Sequence, residues 1–331
     1  MGMDQAELCS LCEKLGHPHY RGRQVAEWLY RKGAREVSQM TNLPGALREE
    51  LGECCGVTRS EVVKESRAKD GTRKFLLRLG DDETIESVLL PYLNRTSVCV
   101  SAQVGCRVGC VFCATAECGL VRNLSAGEIV DQVLTLQERG RSRVTHVVFM
   151  GMGEPLLNVD NVLKAVRLLN EEVGIGMRHL TISTVGVTPA IRRLRKLGLQ
   201  LTLAVSLHAP DDRLRQELIP LSAKFPLDEL MEACREYADS TGRRITYEYL
   251  LLAGVNDSPG HASKLVSLLK HTLCNVNLIP YNEVVGKPYK RPARSAIRAF
   301  RGVLAGAGIE VTQRMERGHS VAAACGQLKG R

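Results

Sequence analysis

The sequence predicts an α/β chain: a partial (β/α)6 barrel, preceded by a small helical domain and a short β extension. Three observations carry this. From about residue 97, apolar β-branched runs alternate with helical patterns. Residues 58–95 read as short strands bounded by turn pairs, and residues 1–57 read as helices. Repeated strand–helix units give a parallel sheet with helices outside it.

In the first domain, residues 21–32 set Val25, Trp28 and Leu29 on one helical face among Arg21, Arg23, Arg31 and Lys32. The run Asn42, Leu43, Pro44, Gly45 punctuates the helix, which resumes over 46–51. In the extension, Val62 and Val63, residues 74–79 and residues 85–90 read as strands, with turns at Asp70-Gly71 and Gly80-Asp81. The barrel occupies 96–313. Its strands are expected over 97–104, 144–150, 179–184, 201–207, 245–251, 275–279 and 309–313. Its helices are expected over 125–140, 160–172, 189–197, 226–240, 258–271 and 293–306. Six units are too few for a closed eight-stranded barrel, so an open one is expected. Residues 314–331 remain as a basic tail, with Arg314, Arg317, Lys329 and Arg331.

The 331 residues are 44% hydrophobic, enough for a sizeable core, yet no run approaches about 18 uninterrupted apolar residues. The first dozen residues are acidic and do not read as a signal peptide, so a cytoplasmic location is the expectation. Lys and Arg total 45 against 36 acidic residues, and the formal charge of +9 suits a polyanionic partner. Twelve cysteines are many for such a chain. A secreted disulfide framework belongs to shorter chains with a leader, so metal ligation or thiol chemistry is the better explanation.

Cys106, Cys110 and Cys113 follow the first barrel strand with the spacing C-x3-C-x2-C. Three thiolates from one tight loop can hold three irons of a [4Fe–4S] cube and leave the fourth open. Gly105 and Gly109 let the backbone fold closely around it. Zinc would ask for a fourth ligand. This triplet resembles the hallmark of the radical S-adenosylmethionine superfamily, with Phe112 at the loop's usual aromatic position. The resemblance implies a partial barrel whose open iron chelates the amino and carboxylate groups of S-adenosylmethionine. One electron then breaks the S–C5′ bond and gives a 5′-deoxyadenosyl radical.

Gly153 and Glu154 follow the second barrel strand, where ligands of parallel sheets bind. In register after the cysteine loop they resemble the superfamily's methionine-binding segment. The same resemblance assigns cofactor contacts to Ser183, to Ser206, Leu207 and His208, and to Asn282, each at a strand's carboxyl end. His208 is not expected to be a catalytic base.

A finer resemblance, to the RlmN/Cfr family of RNA adenine methyltransferases, covers nearly the whole chain. It rests on the block from Tyr20 to Gln24 with Trp28, Leu29 and Tyr30, and on the run from Cys99 to Cys106. It rests also on the run from Phe149 to Asn158 and on Ala324-Cys325-Gly326-Gln327-Leu328. Electron-poor adenine carbons do not attack a sulfonium methyl, and the family answers with covalent catalysis. By resemblance, Cys325 takes a methyl group, a radical made on that methyl adds to the ring, and Cys99 releases the product through a transient disulfide. Glu86, thirteen residues before Cys99, matches the proposed proton acceptor. The implied partners are 23S ribosomal RNA, transfer RNA next to the anticodon, and a flavodoxin-type reductant. The implied product is 2-methyladenosine, with methylation at C8, or a divergent paralogue acting on another RNA, as the alternatives. A cluster-bearing RNA-binding or redox protein is the reading from another class. A monomer is expected, since no oligomerisation motif stands out.

Candidate phosphate contacts fall in four basic clusters, 21–32, 67–74, 192–196, and 287–301 with Tyr281 and Tyr289 nearby, and at least half of these are expected to be ordinary solvated helix faces. Aromatics are only 4% of the chain, so recognition by RNA shape with one extruded base is expected over extensive stacking. Two features depart from the family pattern: His319 after Arg317-Gly318, and Cys118 after the cluster loop. Cys9, Cys12, Cys54 and Cys55 have no family role.

Overall fold

Segments that bury one apolar stripe become helices, and continuous β-branched runs become strands covered on both faces. The structure, a computed structural model, describes residues 1–330 apart from 56, 58 and 316. Arg331 lies outside the described residues, as do positions 56 and 58 at the border of the first domain and the extension.

The helical domain holds α1 (Gln5–Lys14), α2 (Tyr20–Ala26), which runs on as a π-helical turn over Glu27–Arg31, and α3 (Gly45–Cys54). The extension holds β1 (Glu61–Arg67), β2 (Arg73–Arg78) and β3 (Thr84–Tyr92). The barrel begins with β4 (Arg95–Cys99), β5 (Gln103–Gly105), β6 (Leu120–Asn123) and α4 (Ala126–Gly140). It continues through β7 (His146–Phe149), α5 (Val159–Glu171), β8 (Leu180–Thr184), α6 (Thr188–Lys196), β9 (Thr202–Ser206), α7 (Asp212–Leu218) and α8 (Leu227–Thr241). Then come β10 (Ile245–Leu251), α9 (Pro259–Leu269), β11 (Cys274–Pro280), α10 (Arg294–Gly306) and β12 (Glu310–Gln313).

Ten strands make one sheet in the order β1-β2-β3-β4-β7-β8-β9-β10-β11-β12. From β4 to β12 every pairing is parallel, and from β1 to β4 every pairing is antiparallel. The extension is thus an added edge of the barrel sheet, a pairing that local periodicity does not encode. The predicted strand over 97–104 divides in two. β4 stops at Cys99 because the chain bends across the next loop: Gly151 N–H donates to Val100 O at 3.0 Å, and Ala102 N–H to Met152 O at 2.8 Å. It resumes as β5, which pairs only with β6 beside the cysteine loop.

The helical domain shares its core with the barrel: one continuous apolar cluster runs from Leu8, Tyr30 and Leu47 to Val130 and Leu168. A buried ion pair pins the junction. Arg59 Nε bonds Asp131 of α4, and Arg59 Nη1 reaches Gly33 O at 3.0 Å.

Candidate active site

The cysteine loop leaves β5 at Gly105, where φ is +75° and an added Cβ would stand 1.8 Å from Gly119 O. Only glycine lets Cys106 N–H donate to Gly119 O at 2.7 Å and close the loop's base. Val108 and Phe112 anchor it in a second apolar cluster with Leu218 and Ile219. Burial pushes the Cys106 thiol up to about 12. Burial, then the neighbouring Cys113 and Cys106, drives Cys110 well above the usual thiol range. Burial also raises Cys113, against hydrogen bonding from Thr115. Three coupled thiols and the Glu154 carboxylate therefore share a buried space that is short of positive charge. An iron–sulfur cluster, which takes thiols as thiolates, fits that donor set. Among the described residues no three His, Cys, Asp or Glu side chains close around one point as a mononuclear site would.

Glu154 follows Gly153, whose φ is +95° and whose added Cβ would stand 2.5 Å from Gln103 Cβ. This loop lies flat on β5 for want of a side chain. Glu154 is 3% exposed and accepts from Leu156 N–H at 2.9 Å and Val185 N–H at 2.8 Å. Burial outweighs those bonds and raises its carboxyl to about 7. An ammonium group is the ligand that would offset this cost. Ser183 and Ser206 stand at the ends of β8 and β9. His208 accepts from Leu250 N–H through Nδ1 at 3.1 Å, which leaves the ring proton on Nε2. Burial and then Arg215 lower its pKa to about 3, so it is a neutral donor. With Cys110, Cys113, Gly153 and Glu154 these residues line a cleft of roughly 900 Å³, open mouth included. Leu207 sits in the wall behind: it is fully buried, with its N–H on Glu248 O at 3.0 Å.

A second cleft, roughly 620 Å³, lies alongside. Val88 and Leu90 of β3, Cys99 of β4, Asn282, and Arg317 and Ala324 of the tail line it. Asn282, expected at the cofactor, lines this second cleft and not the first; its Oδ1 is buried with no hydrogen-bond partner, a polar atom left for a ligand. Cys325 and Arg314 line both clefts. Burial and then Cys325 push the Cys99 thiol up to about 12, and Arg314 acts against them. Arg314 in turn stands 3.9 Å from Glu248, a buried carboxylate of β10.

The first 57 residues match the ribosomal RNA large subunit methyltransferase N-terminal domain, and residues 100–265 match the radical SAM superfamily. A probable dual-specificity RNA methyltransferase RlmN from Gloeobacter violaceus is 50% identical, covering 100% of this chain and 95% of the relative. The like-named protein of Synechococcus sp. is 51% identical over 100% of the chain and 95% of its own length. The chain belongs to the RlmN family. A crystal structure of a radical SAM methyltransferase from Sphaerobacter thermophilus superposes with TM-score 0.97 at 46% identity, covering 100% of this chain and 98% of that one. Among the described residues no helix is long and apolar enough to cross a membrane.

Against the RlmN pattern, Glu86 is placed less simply. It shares a strand face with Val88 and Leu90, two and four residues on, but lines neither of the two clefts. Its Oε1 pairs with Lys74 Nζ at 2.8 Å, and its Oε2 accepts from Lys329 N–H at 2.8 Å. The tail therefore lies across it. Thr115 Oγ1 donates to Leu328 O at 2.7 Å, and Lys329 Nζ pairs with Glu117 at 2.7 Å. Of the two departures, Cys118 Sγ bonds Lys329 O at 3.3 Å, and His319 is exposed and lines neither cleft. Cys9 and Cys12 are buried in α1, and the sulfurs of Cys54 and Cys55 are 3.3 Å apart.

The basic cluster at 192–196 is corrected. Arg192 and Arg195 pair with Glu229, Glu232 and Glu236 of α8, and Arg193 pairs with Asp160, so these charges staple helices together. Arg67 and Arg73 likewise share Glu65. Sequence reading also passed over Glu248, a lone acid inside the apolar run of β10, and the position of Arg314 between the clefts. The lone acid was the available signal.

Proposed function

We propose that this chain is a radical S-adenosylmethionine RNA methyltransferase that methylates C2 of adenosine. Its substrates are 23S ribosomal RNA at the peptidyl-transferase centre and transfer RNA next to the anticodon. The observation that carries this is the position of Cys325 in the wall between two clefts. One cleft offers Cys110 and Cys113 of the triplet and Glu154, the other offers Cys99. A thiol so placed can accept a methyl group on one side and present it on the other.

Cys106, Cys110 and Cys113 would hold the cluster, and Glu154, Ser183, Ser206 and His208 would orient the cosubstrate. The bound cluster supplies the electron that cleaves S-adenosylmethionine, delivered to it by a flavodoxin-type reductant. Cys325 carries the transferred methyl; the 5′-deoxyadenosyl radical from a second S-adenosylmethionine would take one hydrogen atom from it, leaving as 5′-deoxyadenosine and giving a carbon radical beside the Cys325 sulfur. This radical adds to C2 of an extruded adenine held by Val88, Leu90 and Asn282. Glu86 takes the ring proton once the tail at Lys329 lifts and frees Oε2. With that proton the adduct gives up its odd electron, for which the bound cluster would be the acceptor. The Cys99 thiolate then attacks the Cys325 sulfur to form the disulfide, and the C–S electron pair stays on the former methyl carbon, which takes up a proton to complete the product methyl. The enzyme acts in the cytoplasm as a monomer.

The test is anaerobic turnover of the cluster-loaded enzyme with reductant, S-adenosylmethionine and protein-free ribosomal RNA. Digested RNA is then searched by mass spectrometry for 2-methyladenosine and 8-methyladenosine. The 2-methyl product is expected. An 8-methyl product keeps the thiol chemistry and overturns the regiochemistry.

A further inference from the structure

Tyr92 ends β3 at the second cleft, which it lines beside Cys99, Arg317 and Cys325. Two guanidiniums lie over its ring. Arg95 of β4 stands 4.5 Å from the ring centre, and Arg317 of the tail 4.3 Å. Stacking holds a guanidinium flat and leaves its N–H edge free for a planar anion. Arg317 gives one donor to Pro91 O, and each guanidinium has five N–H donors in all.

Neither arginine makes an ion pair among the described residues. The nearby carboxylate, Asp70, is held by Gly318 N–H at 2.9 Å, which fixes the backbone next to Arg317. Two like charges share one ring, and the Asp70 carboxylate, which feels Arg317 without an ion pair to it among the described residues, offsets their repulsion only in part. An anion at this place removes the repulsion, and a phosphate oxygen pair matches the guanidinium fork. The contrast with Arg192 and Arg195 is direct, since those arginines are already neutralised by acids of α8.

We infer that the Arg95–Tyr92–Arg317 stack is a phosphate clamp for the RNA strand. It grips the phosphodiesters that flank the target adenosine, so the extruded base enters the cleft facing Cys99 and Cys325. This rests on the RNA methyltransferase reading above. One arginine comes from the barrel sheet and the other from the tail that carries Cys325. The clamp is complete only with the tail seated, so backbone grip and nucleophile arrive together.

The experiment measures binding of a synthetic RNA hairpin with one unpaired loop adenosine to the cluster-loaded full chain, by fluorescence anisotropy over a series of salt concentrations. The variants are Arg95→Gln, Arg317→Gln and Arg317→Lys, with far-ultraviolet dichroism and cluster absorbance reporting that each is folded and loaded. Either glutamine variant is expected to weaken binding about tenfold, the worth of one charged hydrogen bond. Each is also expected to lower the slope of log affinity on log salt by about 0.7. Arg317→Lys is expected to restore the slope but not the full affinity, because lysine keeps the charge and loses the fork. Wild-type affinity and slope in both glutamine variants would overturn the clamp. Binding is read without turnover, so failed chemistry shows separately. A wild-type enzyme that binds with this arginine dependence yet leaves RNA unmethylated supports the clamp and removes the proposed function.

Discussion

The two clefts that meet at Cys325 are built by different means. The first is made mainly by strand ends and glycine loops of a continuous parallel sheet, with Cys325, Gly326 and Leu328 of the tail along one side. Its polar groups are backbone-bound: Glu154 on two N–H groups, His208 on one. The second takes one wall from the added edge strands and another from the C-terminal tail. The tail, which forms a larger share of this second cleft, is held by a few bonds, among them Lys329 to Glu117 and Leu328 to Thr115. A site that binds a small cosubstrate is well served by a rigid cradle. A site that admits a nucleotide of a large RNA needs a wall that can withdraw, and the weaker-held segment is where such opening belongs.

The hardest test of this division is the thiol on the boundary. Cys325→Ser is expected to cut methylated RNA by a factor on the order of 10³ or more, with cluster absorbance intact. Cys99→Ala is expected to leave the cluster side working and to trap a protein–RNA adduct, visible as a shifted band on a denaturing gel. Loss of cluster absorbance in Cys325→Ser would mean that the two clefts are not separable.

Arg314 is the next place to press, because it belongs to both clefts. Its charge opposes the burial that pushes Cys99 up to about 12. An opposite charge at close range moves a pKa by about one to three units. Arg314→Met is therefore expected to slow alkylation of Cys99 by iodoacetamide at least about tenfold at pH 9. A rate equal to wild type would show that Arg314 serves structure alone.

The first cleft was legible in the sequence because its chemistry lies in short local runs. The triplet, Gly153-Glu154 and the residues after β8 and β9 are each read from a few neighbours. β10 was placed at its observed limits, Ile245–Leu251, because a long apolar run between two helices has no other use. The second cleft was half legible. Cys99 and Cys325 were named by resemblance, but nothing local says that Arg314 stands against Glu248, or that Lys329 lies on Glu86. The helix α7 also escaped, being only seven residues long. α1 lies in the stretch read as helical, but its limits were not set, although Asp4 and Glu7 form a capping box. Its apolar face is too short to stand out.

The tail's hold can be loosened from outside the clefts. Glu117 pairs with Lys329 and with Lys287 at the surface, and surface pairs are individually weak. Glu117→Gln is expected to leave the fold unchanged and to raise amide hydrogen exchange in residues 326–330 about two- to fivefold. Exchange in the β8 and β9 segments is expected to stay as it was. Equal acceleration on both sides would erase the distinction between a rigid cleft and a movable one.

The smallest expected effect lies wholly in the rigid cleft. The Glu154 carboxyl is raised from 4.5 to about 7 by burial, so the folded chain holds its proton more tightly than the unfolded chain. The sign follows from linkage. The group's contribution to stability is fully present below about pH 4.5 and is lost as pH rises through about 7. In metal-free protein, the difference in melting temperature between wild type and Glu154→Gln should therefore grow between pH 5 and pH 8, with the glutamine variant gaining. A difference that stays flat across that window would mean that Glu154 already has a cation partner. The first cleft would then be charge-balanced without its cosubstrate, and the contrast between the clefts would rest on geometry alone.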